Sequence, residues 1–209
     1  MAWASIIRAM RISLRVVSAE ASACRLCKGV LEPRPVFRAA KSARLLVVGQ
    51  APGRRVHETG IPWNDPSGDA LRAWLAMDRQ TFYDTSRIAI VPIGLCYPGT
   101  VAGADLPPPP HCAPLWQPKF RQALPDVALT LLVGAYAHKY YLGPRRKSSL
   151  SETVRAFREY LPEFFPLPHP SWRNKAWLMR NPWFAREVIP ALRRRVNSCL
   201  RSYNRAPPP

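Results

Sequence analysis

The side chains best suited to chemistry follow a short buried strand. Residues 45–48 read Leu-Leu-Val-Val, an apolar run typical of a strand buried on both faces. The run ends at the segment Gly49–Gly53 (Gly-Gln-Ala-Pro-Gly), whose glycines and proline predict a tight and rigid turn. Four charged or titratable side chains come just after it: Arg54, Arg55, His57 and Glu58. Because ligands of open α/β sheets bind beyond the carboxyl ends of strands, we expect the active site here.

A second candidate is His169, which stands between two prolines just after the apolar run 164–167. A lone histidine is more often structural than catalytic, but the flanking prolines should hold this one rigidly at a strand end. In a parallel sheet the carboxyl ends of the strands share one edge. The segments Gln50–Trp63 and His169–Arg173 are therefore expected on the same rim.

Four of the five cysteines form two spaced pairs, Cys24 with Cys27 (C-x2-C) and Cys96 with Cys112 (C-x15-C). A basic domain of this size argues against a disulfide framework, and the thioredoxin-like context of a redox C-x2-C motif is lacking. Four thiolates from two distant segments suit a tetrahedral metal centre, and the spacing leaves zinc and an iron–sulfur cluster both open. Cys199 lies on the apolar side of the last predicted helix and is interpreted as a core residue.

Alternating strands and helices must position these groups. Strands are predicted at about 44–48, 87–93, 127–133 and 164–167. Helices are predicted at 115–124 and 135–142, and a third runs from a capping box at Ser149 and Glu152 to about Leu161. The last helix begins at Asn181-Pro182 and should be kinked at Pro190. A further helix should begin at Asp65-Pro66, with Asp65 as the N-cap. This alternation predicts an α/β fold, a three-layer α/β/α sandwich with a central four-stranded parallel sheet. The long loop through Pro110 is expected to be functional or pinned.

The composition is strongly basic. Among 209 residues, 31 are Lys or Arg and 13 are Asp or Glu, which gives a net charge of +18. Such a charge favours polyanions, and nucleic acid is the commonest one, although a basic proteome or an anionic membrane surface would also account for it. No apolar run is long enough to span a membrane. We expect a cytoplasmic, nucleoid-associated monomer.

The chain has the length of one domain. Residues 1–20 are Arg-rich and free of acids until Glu20, which indicates an N-terminal extension, with an amphipathic presequence as the alternative. The domain is predicted to cover 21–203, and the proline-rich residues 204–209 to form a disordered tail.

Four motifs in order resemble those of the uracil-DNA glycosylase superfamily, specifically its iron–sulfur-containing bacterial and archaeal branch. The segment Gly49–Gly53 is similar to the family's first motif, and Gly60–Trp63 (Gly-Ile-Pro-Trp), with Gly68 in register, to its Gly-x-Pro-Phe segment. The segment His169–Ser171 (His-Pro-Ser) is similar to the second motif, and the cysteine spacing is that of the branch. The resemblance extends from Cys24 to about Asn174.

The resemblance implies a pocket for a base that is flipped out of the DNA. It implies that Trp63 stacks on the flipped base, although core packing is the simpler role for such a residue. The backbone amides of the turn, at Gly49, Gln50 and Ala51, are expected to bind the pyrimidine carbonyls. Asn64 is a candidate reader of the base edge, or else a turn residue.

Two departures from the family pattern concern catalysis. The acid that follows the first glycine is Gln50 here, and the asparagine that reads uracil aligns near Pro92 or Ile93. His169 still matches the family histidine that donates a hydrogen bond to the uracil O2 as negative charge develops there.

The residue that positions the attacking water is therefore open. Gln50 can orient a water but cannot accept its proton, and oxocarbenium-like chemistry needs little base strength. We rank Gln50 first, Glu58 second and His57 third. Asp65 is interpreted as a helix cap rather than a base.

For DNA, the resemblance implies that Trp172 or Arg173, after Ser171, inserts into the base stack. Candidate phosphate contacts are Arg54, Arg55, Arg145, Arg146, Lys147 and Arg173.

The four patterned cysteines are expected to bind a [4Fe-4S] cluster, with zinc as the alternative. The implied function is a monofunctional uracil-DNA glycosylase of base-excision repair. A protein that binds uracil-containing DNA without turnover, and a metal-bearing nucleic-acid module with another partner, are the competing hypotheses.

Overall fold

The computed structural model describes residues 12–201. Most of the predicted N-terminal extension and the whole predicted tail lie outside these residues. The strands are β1 (Leu45–Val48), β2 (Ile88–Ile90), β3 (Thr100–Val101), β4 (Ala104–Asp105), β5 (Leu129–Val133) and β6 (Phe164–Leu167). Four of them form one parallel sheet in the order β2-β1-β5-β6. The four-stranded parallel sheet predicted from the sequence is confirmed.

The helices cover both faces of the sheet. They are α1 (Leu14–Ser22), α2 (Arg54–Thr59), α3 (Pro66–Leu75), α4 (Arg79–Tyr83), α5 (Cys112–Ala123), α6 (Ala135–Leu142), α7 (Leu150–Arg155), α8 (Lys175–Arg180) and α9 (Ile189–Arg201). Along β1, Leu45 and Val47 join a core with α3, α7 and α9, whereas Leu46 and Val48 join a core with α1, α5 and α6. Because successive residues of a strand point to opposite faces, this alternation produces the predicted three layers.

Two of the differences between the observed and predicted element boundaries have a clear local cause. The second strand ends at Ile90 rather than at 93, since Pro92 has no N–H with which to extend the ladder. The helix predicted from Ser149 to Leu161 is instead α7 followed by a 3₁₀ turn, Phe157–Tyr160. The capping box at Ser149 is present as predicted, but a cap determines only where a helix begins.

Helix α1 crosses the domain boundary predicted at residue 20. Val17 and Ala21 are both fully buried and pack in the core formed with α5. Lys119 of α5 also forms an ion pair of 2.7 Å with Glu20. The helix is thus part of the domain rather than an appended arm.

The last helix carries an irregularity where the sequence predicts a kink. A π-helical turn, Phe184–Val188, runs directly into α9, whose second residue is Pro190. A proline cannot donate the hydrogen bond of a regular helical turn, and a π turn accommodates the missing bond. Cys199 lies in α9 and is buried in the core, as predicted.

Candidate active site and cysteine cluster

A cavity of about 470 Å³ opens at the carboxyl edge of the sheet. It is large enough for a small molecule or a nucleobase. The turn after β1 and the loop after β6 supply most of its functional side chains. Among the lining residues are Gly49, Gln50, Ala51, Pro52, Gly53, Trp63, Asp65, Pro92, Asp105, His169, Ser171, Trp172, Arg173 and Asn174.

Trp63 is fixed against two glycines. A Cβ atom at Gly49 would lie 2.7 Å from Cζ2 of the indole, and one at Gly68 would lie 1.8 Å from the Trp63 carbonyl oxygen. Trp63 itself has a positive φ of 58°, and Arg72 donates a hydrogen bond of 3.2 Å to its carbonyl. Close packing against Trp63 therefore explains why both positions are glycine, and it keeps the aromatic ring at the cavity wall.

His169 faces that ring. The imidazole and the indole are stacked, with centroids 5.7 Å apart and planes inclined by 29°. Asn174 donates a hydrogen bond of 2.6 Å to the His169 carbonyl. Burial lowers the pKa of His169 below its usual 6.5, although the carboxylates of Asp65 and Asp105 oppose the shift. The imidazole is therefore neutral at neutral pH and retains one N–H for donation.

Of the three residues predicted to position water, only Gln50 lines the cavity. Glu58 is exposed on α2, outside the cavity lining. His57 bonds to Glu32 at 3.1 Å and also lies outside the lining. Asn64, predicted to read the base edge, accepts a hydrogen bond of 3.0 Å from Arg79 and is not a lining residue either. Within helix α2 the cavity-lining residue is Val56, and the helix turns Glu58 and His57 away from the cavity.

Two aspartates reach the cavity. Asp65 is the N-cap of α3, as predicted, and accepts a hydrogen bond of 2.8 Å from the Gly68 amide. Asp105 comes from the β3–β4 hairpin, which sequence reasoning treated as part of a long loop. Both turn residues, Ala102 and Gly103, have a positive φ, and of the two only Gly103 is a residue type that signals a tight hairpin turn in a sequence.

The rim of the cavity carries the predicted DNA-binding residues. Ser171, Trp172 and Arg173 line it, and Trp172 is 78% exposed. Arg173 packs over the Trp172 ring at 5.3 Å and donates a hydrogen bond to the Gly103 carbonyl. Arg54 and Arg55 are exposed at the start of α2, without ion-pair partners in the described part of the chain.

The basic cluster 145–147 is not part of this rim. Arg145 packs over the Phe164 ring, and Lys147 forms an ion pair of 2.5 Å with Glu159. Arg146 donates a hydrogen bond of 3.2 Å to the Gly143 carbonyl. None of the three cations lines the base-sized cavity.

The four patterned cysteines line a second, smaller cavity. Cys24, Cys27, Cys96 and Cys112 surround it as free thiols, together with His111. Its other walls are apolar, formed by leucines, prolines and Trp116. We call these four residues the cysteine cluster. Burial raises the pKa of Cys96 to about 12 and that of Cys112 to about 11, so both are protonated thiols in the absence of a metal.

The donor set of the cysteine cluster suits a metal group, because cysteine thiolates bind both zinc and iron–sulfur clusters. Within residues 12–201, no three His, Cys, Asp or Glu side chains are placed to hold one metal ion. A zinc site needs its ligands about 2.3 Å from a single ion, whereas an iron–sulfur cluster is held by cysteines around its outside. Four thiols surround one largely apolar cavity, and their chemistry suits either group. His111 approaches the Cys27 sulfur at 3.2 Å.

The fold and the site define a class: an α/β protein with a base-sized cavity at the carboxyl edge of a parallel sheet. A family model described as the uracil DNA glycosylase superfamily matches residues 36–193. The chain belongs to this superfamily.

It is also similar to a solution NMR structure of a Methanosarcina acetivorans protein named as a candidate uracil DNA glycosylase. The identity is 13%, the match covers 77% of this chain and 98% of that one, and the TM-score is 0.45. No helix among the described residues is long and apolar enough to cross a membrane.

Proposed function

We propose that the protein is a monofunctional DNA glycosylase that flips uracil out of DNA and hydrolyses its N-glycosidic bond. The observation that carries this proposal is the pairing of Trp63 with His169 in one cavity at the sheet edge. An aromatic face and a neutral hydrogen-bond donor are the two groups that excision of a pyrimidine requires.

Binding of the base uses the rigid turn after β1. The carbonyls of Gly49 and Gln50 accept hydrogen bonds of 2.9 and 2.8 Å from the amides of Ile93 and Gly94, which hold the turn in place. The amides of Gln50 and Ala51 donate to no acceptor within residues 12–201 and are available for the O2 and O4 atoms of uracil. The base stacks on Trp63.

Departure of the base depends on His169. As the glycosidic bond breaks, negative charge accumulates on the uracil O2, and the neutral imidazole N–H stabilises it. The imidazole is partly buried at the cavity wall, which lowers the local dielectric and so strengthens this interaction.

Recognition of the base edge differs from the family pattern. Pro92, near which the family asparagine aligns, lines the cavity without a side-chain donor. Its carbonyl accepts a hydrogen bond of 2.7 Å from the buried Gln117. Discrimination at this position therefore relies on shape and on the backbone of the turn.

Contact with DNA uses the exposed rim. Trp172 is the better candidate for the wedge, because Arg173 is tied to the β3–β4 hairpin. An apolar wedge offsets part of the cost of unstacking the flipped nucleotide. Arg54 and Arg55 contact phosphates on the other side of the cavity mouth.

The cysteine cluster holds a [4Fe-4S] centre with a structural role. None of its four residues lines the base cavity, so the group would cross-link loops rather than touch the base. Anaerobically purified protein is expected to be brown, with about four irons per chain. Zinc without iron in the purified protein would contradict this assignment.

The second candidate function is binding of uracil-containing DNA without turnover, which Gln50 favours because it cannot accept a proton. Release of free uracil from a uracil-containing oligonucleotide separates the two functions. A glycosylase releases uracil and leaves an abasic site that alkali cleaves. Tight binding with no release would support the binding protein and overturn the glycosylase.

A further inference from the structure

We propose that Asp105 of the β3–β4 hairpin takes the place of the acid missing at position 50 and positions the water that attacks the sugar. This inference rests on the proposed glycosylase function. It assigns the water to a carboxylate outside both motifs that mark the superfamily.

The hairpin is held over the cavity from two sides. On one side the Gln50 side-chain amide donates a hydrogen bond of 3.3 Å to the Leu106 carbonyl. On the other side Arg173 donates to the Gly103 carbonyl. These bonds tie the turn after β1 and the loop after β6 to the same two-stranded element. The residue that replaces the family acid therefore helps to hold the strand that carries Asp105.

The Asp105 carboxylate is oriented toward the site. The Thr100 hydroxyl donates a hydrogen bond of 3.1 Å to Oδ1, and the Tyr97 hydroxyl contacts the same Thr100 hydroxyl in turn. The other oxygen, Oδ2, points toward Gly53, where it would lie 3.9 Å from a Cβ atom. It accepts no hydrogen bond within residues 12–201, which leaves it available to a water molecule in the cavity.

The other carboxylates of the region have different roles. Asp65 also points an oxygen toward Gly53, but its Oδ1 caps α3 through the Gly68 amide, which explains its presence. Glu58 lies outside the cavity lining. The cross-strand bond from Thr100 uses only Oδ1 of Asp105, so the structure gives its second oxygen, Oδ2, no structural role.

The reaction balances with water as the only co-reactant. The C1′–N1 bond breaks with its electron pair leaving on the uracil ring, and the water oxygen forms a bond to C1′. Asp105 Oδ2 accepts the water proton, which then passes to the uracil anion or to solvent. The products are free uracil and an abasic site. Because the sugar is strongly electrophilic at this stage, a weak base such as a carboxylate suffices.

The test measures single-turnover excision of uracil by Asp105→Asn, with DNA affinity measured separately by fluorescence anisotropy. The rate is expected to fall on the order of 100-fold, the lower end of the range for general-base catalysis, with no loss of affinity. Asp65→Asn removes the same charge from the same cavity and keeps a good N-cap, so its loss should be at least about tenfold smaller.

A rescue variant distinguishes loss of the catalytic carboxylate from a structural effect of the Asp105→Asn substitution. Gln50→Glu in the Asp105→Asn background returns an acid to the family position, and about tenfold or more of the rate should return. An Asp105→Asn rate within about threefold of wild type, an equal loss in Asp65→Asn, or no rescue would each overturn the inference. Wild-type protein that releases no uracil would instead overturn the proposed function itself.

Discussion

The base cavity and the cysteine cluster differ in the elements that position their residues. The base cavity is formed mainly by the segments that directly follow β1 and β6, two strands of the central sheet, with Asp105 added by the β3–β4 hairpin. The cysteine cluster joins the segment after α1 to residues 96–112, none of which belongs to that sheet. The central sheet positions the residues of the base cavity, whereas the cysteine cluster brings together segments that are far apart in the chain.

The two sites therefore differ in what keeps them rigid. At the base cavity, close packing leaves no room for a methyl group between Gly49 and Trp63, so the ring cannot shift. At the cysteine cluster, two of the four side chains, Cys24 and Cys27, are only partly buried. Loops joined in this way need an additional bond, which a bound metal group would supply. Base chemistry should therefore depend on the first region and stability on the second.

The largest effect on excision is expected at His169. His169→Ala removes the donor to the uracil O2 and should slow single-turnover excision on the order of 10²–10³-fold, with little change in DNA affinity. Glu58→Gln is the control, because Glu58 is exposed outside the cavity. If Glu58→Gln abolished activity and His169→Ala did not, the chemistry would be driven by a base and this assignment would be wrong.

A smaller loss is expected at Trp63, which acts through stacking. Trp63→Ala should weaken transition-state binding by about 1–3 kcal/mol, which corresponds to roughly five- to 150-fold in kcat/KM. Trp63→Phe preserves an aromatic face and should recover most of that loss. Equal losses in the two variants would show that the residue serves packing rather than stacking.

Arg54 and Arg55 should affect affinity by only a few-fold each. Arg54→Ala should weaken binding of DNA uniformly across sequences and reduce the slope of log K against log salt by about one, because one phosphate contact is lost. Titrations at several salt concentrations measure that slope. A slope equal to that of wild type would remove Arg54 from the interface, and Arg146→Ala, outside the rim, provides the comparison.

The smallest effect on excision is expected from the cysteine cluster. Cys112→Ser should abolish iron binding and lower the thermal midpoint. The single-turnover rate per folded molecule should fall far less than in His169→Ala, because Gln50 and Arg173 still hold the hairpin that carries Asp105. Cys199→Ala, a core cysteine outside the cluster, should keep its iron. A collapse of the rate in folded Cys112→Ser protein would mean that the cluster, and not the bonds from Gln50 and Arg173, holds the hairpin that carries Asp105.

Local patterns in the sequence were sufficient for the sheet and for the aromatic–histidine pair. The apolar run 45–48 and the capping residues Asp65 and Ser149 act over a few neighbouring residues, so they can be recognised without the fold. The placement of Trp63 and His169 on one rim followed from the rule that strand ends share an edge. In the structure the two rings are stacked, with centroids 5.7 Å apart.

Tertiary structure alone decided which polar side chains reach the cavity. Glu58 and His57 are close to the turn in sequence, but a helix rotates successive side chains by about 100° and carries them away from it. Asp105, far along the chain, is brought in by hydrogen bonds from Gln50 and Arg173 to the hairpin backbone. Such contacts depend on the packing of distant segments rather than on residue type, and no local pattern in the sequence encodes them.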